Sequence, residues 1–281
     1  MLEVRSLSFY YKGTPIHYLR FGNGKPCLIA LHGYGDSASL YHPLASTLSK
    51  NYTVYSIDLP YHGQTRWQSD RPYTPADVQG MVGELCRIEG IYRFSLLGYS
   101  MGGRLALRLV EPFAHRLDSL WLIAPSGIRI HPLLRYAELP QWVIRGLAFA
   151  IKQPDGVFRL MRWARYMGLL SRTVYHFNKK LLKTHTRRER LYYTWLSVRQ
   201  FRLNVPLIKR LLRRERVQVH LFWGKHDEIV RPYTARFFVR DLPLCQLHWV
   251  EGGHFVVNEK LNAAFQNAIL HDKPADHERL P

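Results

Sequence analysis

Six residues, Gly98-Tyr99-Ser100-Met101-Gly102-Gly103, constrain this chain more than any other stretch. The apolar run Phe94-Ser95-Leu96-Leu97 leads into them, and Arg104-Leu105-Ala106-Leu107-Arg108-Leu109-Val110 follows. That order predicts a strand, a sharp turn and a helix, with a serine on the turn. Glycines at 98 and 102 remove side chains that would crowd a serine held in a strained backbone conformation. This is the G-x-S-x-G pattern of a nucleophile elbow. A Gly/Ser-rich loop on an ordinary strand–helix unit has the same letters, so the reading turns on whether the partners of such a serine occur elsewhere.

The flanking sequence supplies a setting. Val4 to Tyr11 and Ile16 to Phe21 alternate in polarity around Lys12-Gly13-Thr14-Pro15 and predict an antiparallel hairpin. Pro26 to Leu31 is a continuous apolar run suited to a strand buried on both faces. A helix is expected near Tyr41 to Ser49, then a strand at Tyr52 to Ile57. Thr74-Pro75-Ala76-Asp77 opens a helix to about Glu89, with threonine as N-cap and proline at the first helical position. Strands follow at Ser119 to Ile123, Gln218 to Gly224 and Cys245 to Val250, with helices near Thr234 to Arg240 and Glu259 to Ile269. The tail from His271 to Pro281 is polar and expected to be loose. Strands alternating with helices imply an α/β fold, a mostly parallel eight-stranded sheet with helices on both faces. Ligands bind such sheets at the carboxyl ends of the strands. His32-Gly33, Asp58, Ser100, Asp227 and His254 each follow a strand.

Charge divides the chain. Its 281 residues carry +19, yet residues 127–216 hold 21 Lys and Arg against 4 Asp and Glu, which leaves only +2 for the remainder. The same segment shows helical periodicity broken by prolines and no clear strand. It reads as a basic helical insertion at 127–216 within a core of 1–126 and 217–281. Gln141 to Phe149, Phe158 to Arg165 and Leu207 to Arg214 interleave bulky apolar residues with arginine or lysine, the pattern of basic amphipathic helices. One reading is a face packed on the core with solvated charge outside. The other is docking to an anionic surface, a bilayer or an acidic carrier protein. Nucleic acid has only the charge in its favour, with no binding motif.

Three cysteines give neither a disulfide framework nor metal-ligand spacing, so no metal is expected. The first residues lack the basic-then-apolar pattern of a signal peptide. No apolar run approaches the roughly 18 residues of a membrane span. The expectation is a cytoplasmic protein, at most peripheral to a membrane.

A serine hydroxyl needs an imidazole as base, and the imidazole needs an orienting carboxylate. In a fold of this kind the chain order is serine, acid, histidine. Trp223-Gly224-Lys225-His226-Asp227 sets Asp227 just beyond a late strand, with Glu228 as rival and Asp241 too far along. His254, after two glycines at the last strand end, stands out among fourteen histidines. Donors for an oxyanion are expected from the backbone N–H of Met101 and of Tyr34. His32 is expected to order its loop, and Asp58 with His62 to build a structural turn under the pocket.

Taken together, His32-Gly33-Tyr34-Gly35, Asp58-Leu59-Pro60-Tyr61-His62-Gly63, the elbow, Asp227 and Gly253-His254 resemble the α/β-hydrolase superfamily. Tyr61 stands where glycine is common and Thr65 where serine is common. The resemblance implies that 127–216 is a helical cap, or lid, over a Ser100–His254–Asp227 triad, and that no cofactor is needed. Serine at 100, where dehalogenases and epoxide hydrolases carry aspartate, points to acyl chemistry on an ester or thioester with an apolar acyl part. His32, Tyr99 and Arg104 are carried as candidate substrate contacts. Arg104 also keeps a lyase open, because the elbow is similar to that of the menaquinone-pathway SHCHC synthases, where the matching arginine binds substrate carboxylates. The competing reading of Arg104 is a surface arginine on the elbow helix. A binding protein that has lost catalysis is the third alternative.

Overall fold

A computed structural model describes residues 2–24, 26–128, 146, 154–172, 175–176, 179 and 182–271. The amphipathic run Gln141 to Phe149, apart from Gly146, and the tail beyond His271 lie outside the described residues.

Eight strands form one sheet: β1 (Val4–Tyr11), β2 (Thr14–Phe21), β3 (Cys27–Leu31), β4 (Thr53–Ile57), β5 (Phe94–Tyr99), β6 (Leu117–Ile123), β7 (Gln218–Gly224) and β8 (Cys245–Val250). Their order is β1-β2-β4-β3-β5-β6-β7-β8. β2 pairs antiparallel with β1 and β4, and every other pairing is parallel. The hairpin turns at Lys12 and Gly13, both at positive φ (47° and 78°), so β2 begins two residues earlier than the sequence reading. Two successive residues of that hand match the twist of the flanking strands.

The described helices are α1 (Ala45–Asn51), α2 (Pro75–Ile88), α3 (Met101–Phe113), α4 (Pro154–Tyr166), α5 (His185–Val198), α6 (Val205–Arg214), α7 (Tyr233–Val239) and α8 (Glu259–His271). Ahead of α1, Ala38–Leu44 is a 3-10 helix containing Pro43, so the first helical stretch is divided in two. α2 opens with a capping box. The Thr74 side chain accepts from the Asp77 N–H, and the Asp77 carboxylate accepts from the Thr74 N–H.

Parallel strands bury both faces, and successive residues point to opposite sides. Ile29, Leu31 and Leu96 accordingly pack with α2, α3 and α7 on one face, through Val78, Met81, Leu105, Leu109 and Phe238. Leu28, Ala30 and Leu97 pack with Leu48 of α1 and Leu261 and Phe265 of α8 on the other.

The basic segment divides in its packing. The charge of α6 assigns it to the helical insertion, yet its stripe Val205, Ile208 and Leu212 is buried in the same core cluster as α3. Its arginines lie on the opposite side, and the helix behaves as one of the sheet's flanking helices. α4, by contrast, buries no residue, and α5 buries only Thr194 and Ser197.

Candidate active site

The elbow is built by close approach. Ser100 sits between β5 and α3 at φ 51° and ψ −109°, a region that side chains other than hydrogen rarely enter. Three backbone bonds hold it there. Its N–H donates to the Ile123 carbonyl at 2.9 Å, and its own carbonyl accepts from Ser126 and Arg104 at 3.0 and 3.1 Å. A Cβ at Gly98 would stand 2.6 Å from the Gly102 carbonyl oxygen. One at Gly102 would stand 2.0 Å from the Leu31 carbonyl oxygen and 2.5 Å from that of His32. The glycines therefore let α3 begin directly against the end of β3.

His254 and Asp227 meet the serine from the far half of the chain. His254 Nε2 lies 2.9 Å from Ser100 Oγ, and its Nδ1 lies 2.7 Å from an Asp227 carboxylate oxygen. The second Asp227 oxygen accepts from the N–H groups of Ile229 and Val230, both at 2.8 Å. With the carboxylate held as acceptor, Nδ1 carries the proton and Nε2 is left to accept from the serine. Glu228 turns elsewhere and accepts from the Ser171 hydroxyl at 2.7 Å. Asp241, at positive φ beyond α7, is not among the partners of His254.

A family model described as the alpha/beta hydrolase family matches residues 28–265. The chain belongs to that family. Human monoacylglycerol lipase ABHD6 is 23% identical over 282 residues, covering 92% of this chain and 76% of its own. The pimeloyl-[acyl-carrier protein] methyl ester esterase of Nitrosomonas europaea is 32% identical over 166 residues, covering 53% of this chain and 63% of its own. Among solved structures, a putative lipase from Acinetobacter baumannii superposes with a TM-score of 0.67 at 20% identity, over 95% of this chain and 90% of that one; this likeness is one of fold. The family and its lipase and esterase relatives support a hydrolase.

Within this α/β hydrolase the other sequence candidates have different surroundings. Tyr99, read as a substrate contact, is buried beside Gly33 and gives its hydroxyl to the His254 carbonyl at 3.1 Å. Its phenol holds the histidine loop from beneath. His32, read both as loop-ordering and as a substrate contact, is fully buried with both nitrogens engaged. Nε2 accepts from the Leu59 N–H at 3.0 Å, so Nδ1 carries the proton and donates to the Gly33 carbonyl at 2.7 Å. Burial pushes its pKa down to about 4, against the pull of the Gly33 bond. Arg104 is not the surface residue of the competing reading. Its stem packs on Gly127, its Nε donates to the Phe201 carbonyl at 2.7 Å, and burial lowers its pKa to about 10.

Asp58 closes the turn expected beneath the site. One carboxylate oxygen accepts from Ala38 N–H at 2.6 Å. The other accepts from Gln64 N–H at 2.8 Å and lies 2.7 Å from His17 Nδ1. Thr65 joins the same turn, its hydroxyl accepting from His17 N–H at 3.0 Å. Tyr61 adopts φ 68°, the conformation that favours glycine, which explains why glycine suits this position. Its ring stacks on Tyr193 of α5, centroids 5.6 Å apart.

α5 is the element the sequence reading did not connect to the site. Tyr34 gives its hydroxyl to the Arg187 carbonyl at 3.4 Å, and Tyr193 lies on Tyr61. The helix thus rests on the loops after β3 and β4. Its residues 187, 190, 194 and 197 share one face by helical spacing, and that face is polar. Two buried groups beside it, His62 Nε2 and the Thr194 hydroxyl, have no hydrogen-bond partner among the described residues. The available signal was a small polar pair at helical spacing, Thr194 and Ser197, the two residues that α5 buries.

Proposed function

We propose that this hydrolase cleaves a carboxylic ester or thioester with an apolar acyl part through an acyl-enzyme. The reading is supported most by one chain of contacts, Ser100 Oγ to His254 Nε2 at 2.9 Å and His254 Nδ1 to Asp227 at 2.7 Å. Ser100 Oγ bonds to the carbonyl carbon while its proton passes to His254 Nε2, and the carbonyl electron pair moves onto oxygen. Asp227 steadies the imidazolium. The N–H groups of Met101 and Tyr34 receive the oxyanion; the approach of Gly102 to the Leu31 and His32 carbonyls draws the two loops together. Collapse expels the alcohol or thiol, which takes the proton from His254. Water then repeats the sequence on the acyl-enzyme and restores Ser100.

The named substrates of the two curated relatives, a monoacylglycerol and a methyl ester, are both carboxylic esters and favour ester over carbon–carbon chemistry. The lyase alternative requires Arg104 to hold a substrate carboxylate through its Nη groups alone, since its Nε donates to the Phe201 carbonyl and ties α3 to the loop after α5.

A p-nitrophenyl ester should give a pre-steady-state burst equal to the enzyme concentration, and a fluorophosphonate probe should label the folded protein. Ser100→Ala should abolish both. A wild-type protein that is folded, unlabelled and inactive on a panel of esters and thioesters overturns the reading.

A further inference from the structure

α4 carries a second surface that the ester chemistry does not use. Leu160, Trp163 and Met167 are 63%, 55% and 54% exposed, and they recur at intervals of three and four residues along one outer face. Tyr166 and Leu169 extend the exposed strip. Arg159 and Arg162 are exposed beside it. The inner side of the helix holds Val157, Phe158, Met161 and Ala164, each partly buried. α4 is thus apolar towards the protein and apolar again towards solvent, with arginines along the outer edge. A helix solvated on its outer face has no need of tryptophan and leucine there, and isolated exposed apolar residues do not align in this way.

The helix ends at this surface in a defined manner. Gly168 takes φ 71°, and the Leu169 N–H returns to the Ala164 carbonyl at 2.9 Å, the long-range bond of a Schellman cap. In that motif the residue after the glycine commonly packs back on the helix; here Leu169 projects outward, 72% exposed. Two residues on, Ser171 bonds to Glu228, the neighbour of Asp227. The strip therefore ends beside the loop that carries the acid of the Ser100–His254–Asp227 chain.

We propose that α4 docks the protein on an anionic lipid bilayer. Leu160, Trp163 and Met167 enter the boundary between headgroups and acyl chains, and Arg159 and Arg162 bind the phosphates above them. Apolar side chains flanked by arginine, with tryptophan and tyrosine at the boundary, suit an interfacial helix. The charge of the chain, +19 in all, is complementary to such a surface. A second copy of the protein is disfavoured as occupant, because it would bring a chain that itself carries +19 against these arginines. An acidic carrier protein would match the arginines but offers no reason for the row of apolar side chains between them.

Sedimentation with vesicles tests this independently of the ester chemistry. The full chain is mixed with sucrose-loaded vesicles of phosphatidylcholine, alone or with phosphatidylglycerol. Wild type should pellet with the anionic vesicles, and less so as salt rises. Leu160→Ser combined with Trp163→Ser should weaken binding tenfold or more. Arg159→Glu combined with Arg162→Glu should weaken it about five-fold or more per arginine. Both variants change exposed residues, so an unchanged thermal melt and unchanged turnover of a water-soluble ester certify the fold. The proposal is overturned if wild type stays in the supernatant with anionic vesicles, or if either folded variant pellets like wild type. Binding to acyl carrier protein without vesicle binding assigns the strip to an acidic protein and also overturns it. So does a dimer, seen by light scattering, that the Leu160/Trp163 variant dissociates.

Discussion

Gly102 lies against Leu31 so closely that a Cβ on the glycine would stand 2.0 Å from the leucine carbonyl oxygen. The start of α3 and the end of β3 are separated by less than one methyl group. This contact sets the distance between the Met101 N–H and the loop that carries Tyr34. Gly102→Ala offers a better helix former, worth about 1 kcal/mol in an open helix. Here the added methyl meets backbone that cannot move aside, and overpacking of this kind costs about 1–3 kcal/mol. The variant should melt at a lower temperature and lose turnover of a p-nitrophenyl ester by more than tenfold, with the loss in kcat rather than KM.

Ser100 itself is strained. Its φ of 51° and ψ of −109° cost a residue with a Cβ about 1–3 kcal/mol. Ser100→Gly should therefore stabilise the protein, by about 1 kcal/mol after the greater flexibility of the unfolded glycine is subtracted. Ser100→Ala retains the Cβ and should not. Both should be inactive. Thermal or urea melts of the two variants side by side distinguish relief of backbone strain from loss of the hydroxyl.

Much of this architecture is legible in the sequence. Each strand of the sheet is an apolar or alternating run closed by a turn signal, and the elbow, Asp227 and His254 stand at strand ends in the order serine, acid, histidine. Reading failed where the answer lay in a partner far along the chain. α6 reads as a basic amphipathic helix of the insertion, but the period of its stripe Val205, Ile208 and Leu212 does not say which surface receives it. Tyr99 was open to a substrate role because its hydroxyl partner, the His254 carbonyl, is 155 residues away. Tyr61 departs from the common glycine with no local compensation in the sequence, since its stacking ring, Tyr193, belongs to α5, far along the chain.

The Tyr61–Tyr193 stack tests how α5 sits on the core. Tyr61 carries the cost of a left-handed backbone, and the stack on Tyr193, with a further contact to Tyr73 at 5.9 Å, offsets it. Aromatic pairs couple by about 0.5–1.5 kcal/mol beyond the area they bury. Tyr61→Ala, Tyr193→Ala and the double variant should show that coupling in urea unfolding. Additive effects, with no coupling, would separate α5 from the β4 loop in solution.

His32 sets an acid limit on stability. The imidazole is buried and neutral, with Nε2 accepting from Leu59 N–H and Nδ1 donating to the Gly33 carbonyl. Its pKa falls from an ordinary 6.5 to about 4 because burial disfavours the charged ring. Unfolded chain therefore binds a proton that folded chain refuses between those values. The stabilisation is fully present above about pH 6.5 and declines as pH falls towards 4, by about 3 kcal/mol in total. His62, its ring 5.1 Å from that of His32, is pushed down to about 3 by burial and then by His32, and acts in the same direction. Protonating His32 also removes the acceptor of Leu59, which loosens the turn carrying Asp58 and Tyr61 as well as the loop of Tyr34. His32→Gln keeps a side-chain acceptor without a titrating ring. Its urea midpoint at pH 7.5 should be lower than that of wild type, because a glutamine reaches Leu59 with poorer geometry. Between pH 6.5 and 4, however, the midpoint should fall less steeply than that of wild type. A wild-type slope retained in the variant would assign the acid sensitivity to other groups.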